Sequence, residues 1–179
     1  NTAIFSLIDG IFLHGLPFER PSELVRIHGE ARDRNMSGLN TSITKFEHLR
    51  DHQKSFSVIA ADFVNGVTLT GLGDPQQIAA SHVTSNYLDL IGVKPAMGRL
   101  FRPDEESDGD HVAILSTEFW VRQFNRDSQV LGRSLTLNGV PHTIVGILPP
   151  QPGVFFGEID VGTTGPLEDP GGAAGVGAR

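Results

Sequence analysis

The period of the apolar positions changes several times along the chain, and the changes predict an α+β fold: mixed or antiparallel sheets with three or four helices. In the opening stretch, NTAIFSLIDGIFLHGLPF, residues Ile4, Leu7, Ile8 and Ile11 fall on one helical face, with Thr2, Ser6 and Asp9 on another. This run is too short to cross a bilayer alone and has no basic flank of the kind a signal peptide carries. It reads as a docking helix or as the end of a longer one. After Pro17 and Pro21, residues 23–28 alternate like a strand, and the chain then runs polar and glycine-containing to Asn40.

Ser42 predicts an N-cap for a helix to about Lys54, with Ile43, Phe46 and Leu49 as its buried stripe. Residues 56–83 read as a three-stranded antiparallel meander, turning at Asn65-Gly66 and at Gly73-Asp74-Pro75. A short helix follows, capped by Thr84 or Ser85, carrying Tyr87, Leu88 and Ile91 and stopped by Gly92. The acidic run 104–110 predicts a loop, 111–115 a strand, and Ser116 the cap of a helix with Phe119, Trp120 and Phe124 on one side. Asn138-Gly139 supplies the positive-φ pair of a two-residue hairpin turn between strands 134–137 and 140–148, and Pro141 places that end of the return strand at an edge. Residues 161–179 hold almost no large apolar side chain, which predicts a disordered glycine-rich tail. The expected organisation is therefore a helix end over 1–18, a core domain over 19–160 and a tail over 161–179.

Composition narrows the function. A net charge of -7 offers no long-range attraction to phosphate backbones, so nucleic acid is not an expected partner. With no cysteine there are no disulfides, thiolate metal sites or Cys nucleophile. His48 and His52 have the spacing of two metal ligands on a helix, but EHLRDH lacks the glutamate that follows the first histidine in zinc proteases. DEESDGD resembles a calcium loop only until its twelfth position, which is Leu115 instead of a bidentate glutamate. GLGDPQ has Gln76 where a dinucleotide fingerprint needs its third glycine, and no phosphate-binding or serine-hydrolase motif occurs. Arg99 and Arg133, each after a glycine, read as residues that pin loops, with the acidic run 104–110 as the partner of Arg99. No catalytic, cofactor-binding or metal-binding residue is expected, no cofactor, and no enzyme activity.

Three blocks, VTSNYLDLIGVKPAMGRLFRPDEE, VAILSTEFWVRQF and LGRSLTLNGVPHTIVGILPP, in this order and spacing resemble the MacB-like periplasmic core domain of bacterial ABC transporter permeases, especially those in which the module occurs twice. With the opening stretch and FEHLRDHQKSFSVIAA, the resemblance covers residues 1–160. It implies a porter-like domain inserted after a first transmembrane helix, on the periplasmic side of the cytoplasmic membrane. The implied partners are the membrane, through the permease helices, an ABC ATPase subunit or domain, and a periplasmic adaptor. The implied role is to transmit ATP-driven movement of the membrane helices to export or to that adaptor. Past Val161 the family pattern is lost, so the resemblance predicts a fragment incomplete at its C-terminus. The alternative from another class is an envelope ligand- or protein-binding module without a transport role.

Overall fold

The computed structural model describes residues 23–27, 29–31, 36–39, 42–150, 159–166 and 174–178. In chain order they form β1 (Val25–Ile27), β2 (Gly29–Ala31), β3 (Met36–Leu39), α1 (Ile43–His52), β4 (Ile59–Thr70), β5 (Gln76–Val83), α2 (Tyr87–Leu90), β6 (Met97–Gly98), α3 (Pro103–Ser107), β7 (Val112–Leu115), α4 (Thr117–Phe124), β8 (Ser134–Leu137), β9 (Val140–Ile147), β10 (Val161–Thr164) and β11 (Ala174–Ala178). The helix predicted at the start of the chain lies outside the described residues.

Strands β2 and β3 pair with each other, and the other nine strands form one mixed sheet. Six of the nine close a ring: β4 pairs with β5, β5 with β10, β10 with β7, β7 with β9, β9 with β8, and β8 again with β4. Closure removes the unpaired edges that an open sheet presents. The seam between β8 and β4 is only two residue pairs wide, Leu69 with Leu137 and Thr70 with Thr136. Asn138 extends it, because its Oδ1 accepts from the Thr68 amide at 2.8 Å while its own amide donates to the Thr68 carbonyl at 2.9 Å.

The period of two decides which side chains fill the ring. Leu69, Ile78, Leu115, Leu135, Ile144 and Val161 point into one buried cluster. Along β7, Ala113 and Leu115 join that cluster while Val112 and Ile114 join a second one outside the ring, with Tyr87, Leu88 and Phe101. Both faces of β7 are therefore buried, as its unbroken apolar run Val-Ala-Ile-Leu requires. The first half of β4 carries a third cluster, where Ile59, Ala61 and Phe63 meet Phe46 of α1. Helix α4 leaves β7 at Leu115 and closes that end of the ring with Phe119 and Phe124, whose rings meet edge to face at 6.3 Å.

Several expectations hold. The Ser42 and Ser116 hydroxyls accept from the amides of Lys45 and Phe119, and the Asn138-Gly139 pair has positive φ at both residues. Trp120 packs against the ring core and donates its Nε1–H to the Asp127 carbonyl.

Others need correction. Asn65-Gly66 is not a turn: β4 runs straight through it, pairing Asn65 with Ala80 and Gly66 with Ala79, so the meander is a single long hairpin. Thr84 and Ser85 do not cap α2, because the Thr84 hydroxyl accepts from the Ala61 amide and the Ser85 hydroxyl donates to Glu106; Asn86 holds the cap position. The acidic run begins as helix α3, started by Pro103, whose fixed φ suits a first helical position. Residues 29–31 and 36–39 form a small hairpin where no element was expected. The tail expectation fails most informatively: β10 is a central strand between β5 and β7, and β11 lies between β1 and β4, so the sheet does not stop at residue 160.

Edge strand β6 depends on the absence of two side chains. Gly98 faces Gly146 of β9, and a Cβ built on Gly146 would lie 2.3 Å from the Arg99 carbonyl oxygen. Gly146→Ala is expected to cost roughly 2–3 kcal/mol of stability by forcing β6 off β9. Gly66→Ala, whose Cβ would meet nothing closer than a Gln77 side-chain oxygen at 3.7 Å, is expected to change the denaturation midpoint little. Urea unfolding of the two variants checks both outcomes.

Candidate functional site

Two polar assemblies are built on this frame, one that locks and one that stays open. In the first, Arg99 follows Gly98 out of β6 and its guanidinium meets the Glu105 carboxylate through two parallel hydrogen bonds of 3.0 Å and 2.5 Å. Glu105 is only 3% exposed and also accepts from the Arg102 amide at 2.8 Å. Burial pushes its carboxyl up, but the hydrogen bonds from Arg99 and the Arg102 amide, with the charges of both arginines, outweigh it and hold the group below the usual carboxylate range. The neighbouring Glu106 accepts from both the amide and the hydroxyl of Ser85 at 2.6 Å. The lock thus fixes α3 between β6 and the start of α2, as the pairing of Arg99 with the acidic run predicted.

The second assembly lies at the end of the ring away from α4. There a cleft of about 400 Å³ opens among β4, β5, β9 and the residues flanking β7 and β10. Phe63, Val67, Ala80, Leu137 and Val140 form its apolar wall. Three of the seven histidines of the chain, His82, His111 and His142, converge on it from three separate strands or their ends, joined by Asn65, Asn138 and Thr163. No motif spacing connects these residues; closure of the ring brings them together. His82 and Thr163 are register partners on adjacent strands, and the rings of His111 and His142 lie 5.1 Å apart.

Hydrogen bonding fixes the chemistry of the imidazoles. A carbonyl oxygen only accepts, so the His142 nitrogen 2.9 Å from the Val140 oxygen is a protonated Nδ1. In the neutral ring Nε2 then keeps its lone pair. Burial is the main cause that pushes the His142 pKa down; its hydrogen bond to Val140 opposes this, and His111 and His82 push in the same direction as burial. His82 has Nε2 3.3 Å from the Gly165 carbonyl oxygen and Nδ1 3.2 Å from the Thr163 hydroxyl, so both nitrogens are engaged.

The residues singled out in the sequence fall elsewhere. His48 and His52 stack on the exposed face of α1 with ring centroids 4.3 Å apart, and His52 Nδ1 lies 3.0 Å from the His48 carbonyl oxygen. Among the described residues no three histidine or carboxylate side chains are grouped as a metal site. Gly71 and Gly73 take positive φ in the connection from β4 to β5. Arg133 pairs with Asp127 at 3.0 Å on the surface.

The whole-chain comparisons agree with one another. The family model described as the MacB-like periplasmic core domain matches residues 1–169. The periplasmic region of MacB from Actinobacillus actinomycetemcomitans is similar in structure, with a TM-score of 0.65 and 16% identity over 87% of this chain and 73% of that one. The extracellular domain of the noncanonic ABC-type transporter YknZ from Gram-positive bacteria gives 0.62 and 16% over 88% and 81%. A domain of a putative permease protein from Porphyromonas gingivalis gives 0.56 and 12% over 79% and 68%. No curated protein matches the chain significantly in sequence.

The depressed pKa of His142 has a sign that can be tested. The unfolded chain binds the proton more readily, so the contribution to stability is complete above the unfolded value of about 6.5 and is lost as pH falls through the folded value. The melting temperature is expected to drop between about pH 7.5 and pH 5.5, and His142→Gln to flatten that slope. Thermal melts of both proteins across this range check it.

Proposed function

Because the chain belongs to the family of MacB-like periplasmic core domains, we propose that it works as the extracytoplasmic lever of an ABC transporter permease. In this reading the permease sits in the bacterial cytoplasmic membrane with this domain facing the periplasm, and ATP hydrolysed by a partner ATPase moves the membrane helices. The domain carries that movement to export or to a periplasmic adaptor. Among the described residues no helix is long and apolar enough to cross a membrane, and in this reading residues 1–18 are the end of the membrane helix that precedes the domain.

The observation that carries the reading is the pairing of β1 with β11. Val25 lies opposite Ala178, so β1 and β11 run side by side at one border of the sheet. Both strands reach the ring through one neighbour, since β11 pairs with β4, so a pull on this border is passed to the ring. A second link joins that border to the helices. Arg26 of β1 lies 3.9 Å from the carboxylate of Asp62, which is buried on β4. Burial pushes the Asp62 carboxyl up, and the Arg26 charge and a hydrogen bond from the Tyr87 hydroxyl oppose it. Displacing β1 therefore pulls on a buried charge that is also tied to α2. The closed ring resists deformation, which favours movement of the whole body over movement within it.

Spin labels separate these motions, and the cysteine-free sequence simplifies their attachment. The permease carrying this domain, labelled at Asp74→Cys and Arg126→Cys and reconstituted with its ATPase in lipid nanodiscs, is expected to keep the distance between the labels constant. The distance of either label from the lipid surface is expected to change between nucleotide-free and ATP-bound states. A label position that ignores nucleotide would refute the lever and favour a static binding module.

A further inference from the structure

The open end of the ring has properties that a lever does not use. Its cleft, at about 400 Å³, falls in the range of small-molecule pockets, roughly 300–1,000 Å³. Its wall is apolar, and its polar groups have unused capacity. His142 commits Nδ1–H to the Val140 carbonyl and keeps a lone pair on Nε2. Asn138 commits Oδ1 to the Thr68 amide, which leaves its NH2 group. Asn65, half-buried on the same wall, makes no side-chain hydrogen bond with the described residues.

Charge decides the class of ligand. None of the described residues lining the cleft is Asp, Glu, Lys or Arg, and burial favours the neutral form of His142. A charged molecule entering here would give up its hydration without meeting a counter-charge. A wholly apolar one would leave the imidazole acceptor and two amides without partners. We infer that the open end of the ring binds an uncharged amphipathic molecule of one to three rings, its apolar body against Phe63, Val67 and Leu137 and one O–H or N–H donated to His142 Nε2. Such binding needs neither a membrane nor nucleotide, so it is tested separately from the lever.

N-phenyl-1-naphthylamine is a suitable probe: it is uncharged, has two aryl groups and one N–H, and fluoresces on leaving water. Titration into the 179-residue chain at neutral pH is expected to give a saturable rise in fluorescence. Val67→Trp, which fills the cleft, and His142→Phe, which keeps a ring but loses the acceptor, are each expected to weaken binding about tenfold or more. Arg126→Ala, at an exposed turn, is expected to leave it unchanged. The sulfonated relative 8-anilinonaphthalene-1-sulfonate is expected to bind at least about tenfold more weakly. Near-UV circular dichroism shows which variants keep the fold, and if Val67→Trp does not, His142→Phe decides. Absence of saturation in the parent chain, parent-like binding by the folded variants, or stronger binding of the sulfonate would each overturn the inference.

Discussion

The fold depends on one short strand that pairs along both of its edges. Strand β10 pairs parallel with β5 on one side and antiparallel with β7 on the other, and without it the β4–β5 and β7–β9 halves would meet only through the two-pair seam of β8 with β4, leaving the ring open. A Cβ on Gly162 would meet the Phe101 ring at 3.9 Å and the Ile114 carbonyl oxygen at 3.8 Å, ordinary contact distances, so hydrogen bonding rather than exclusion of a side chain holds this strand in place. The threonines that follow are buried, and both side chains bond across to β5, Thr163 to His82 and Thr164 to the Val83 carbonyl. At its leading end Asp160 donates its amide to the Ala79 carbonyl, accepts from the Ser116 amide and pairs with Arg122 of α4. Hydrogen bonds along both edges and from both threonine side chains are therefore what this position demands.

That demand explains which parts of the fold were legible in the sequence. Signals that act over a few residues were readable: the hydroxyls of Ser42 and Ser116 cap helices, Asn138-Gly139 closes a hairpin, and Arg99 finds the acidic run. Features decided by distant partners were not. Asn65-Gly66 looks like a turn, yet antiparallel pairing with Ala79 and Ala80 keeps it extended. Val161-Gly162-Thr163-Thr164 looks like a tail because it has little apolar side chain to bury, yet a strand paired on both edges is held by backbone hydrogen bonds. The three histidines of the open end belong to no motif, and only the ring makes them neighbours. His82 at the C-terminal end of one predicted strand, with His111 and His142 at the N-terminal ends of two others, is the one sequence signal that could have suggested the cleft.

The two polar assemblies divide the labour. Arg99 and Glu105 form a charge-assisted fork whose carboxylate is buried, so it holds geometry and is unavailable to a ligand. The open end is arranged the other way, with the tautomers of His82 and His142 fixed by carbonyl oxygens and the Nε2 acceptor of His142 in reserve. The ring is closed through six strands, carries β1 and β11 at one border, and is open at the end where the cleft lies. The path from β1 through Arg26 and Asp62 to Tyr87 couples the entry border to the helical flank.

Amide hydrogen exchange at β10 tests the ring most directly. If β10 closes the ring, the amides of Gly162, Thr163 and Thr164 exchange with the same opening free energy as those of Ile114 in β7 and Ser81 in β5, the strands it joins. Exchange at β10 as fast as at the exposed Gly73-Asp74 connection, while β5 and β7 stay protected, would contradict the account.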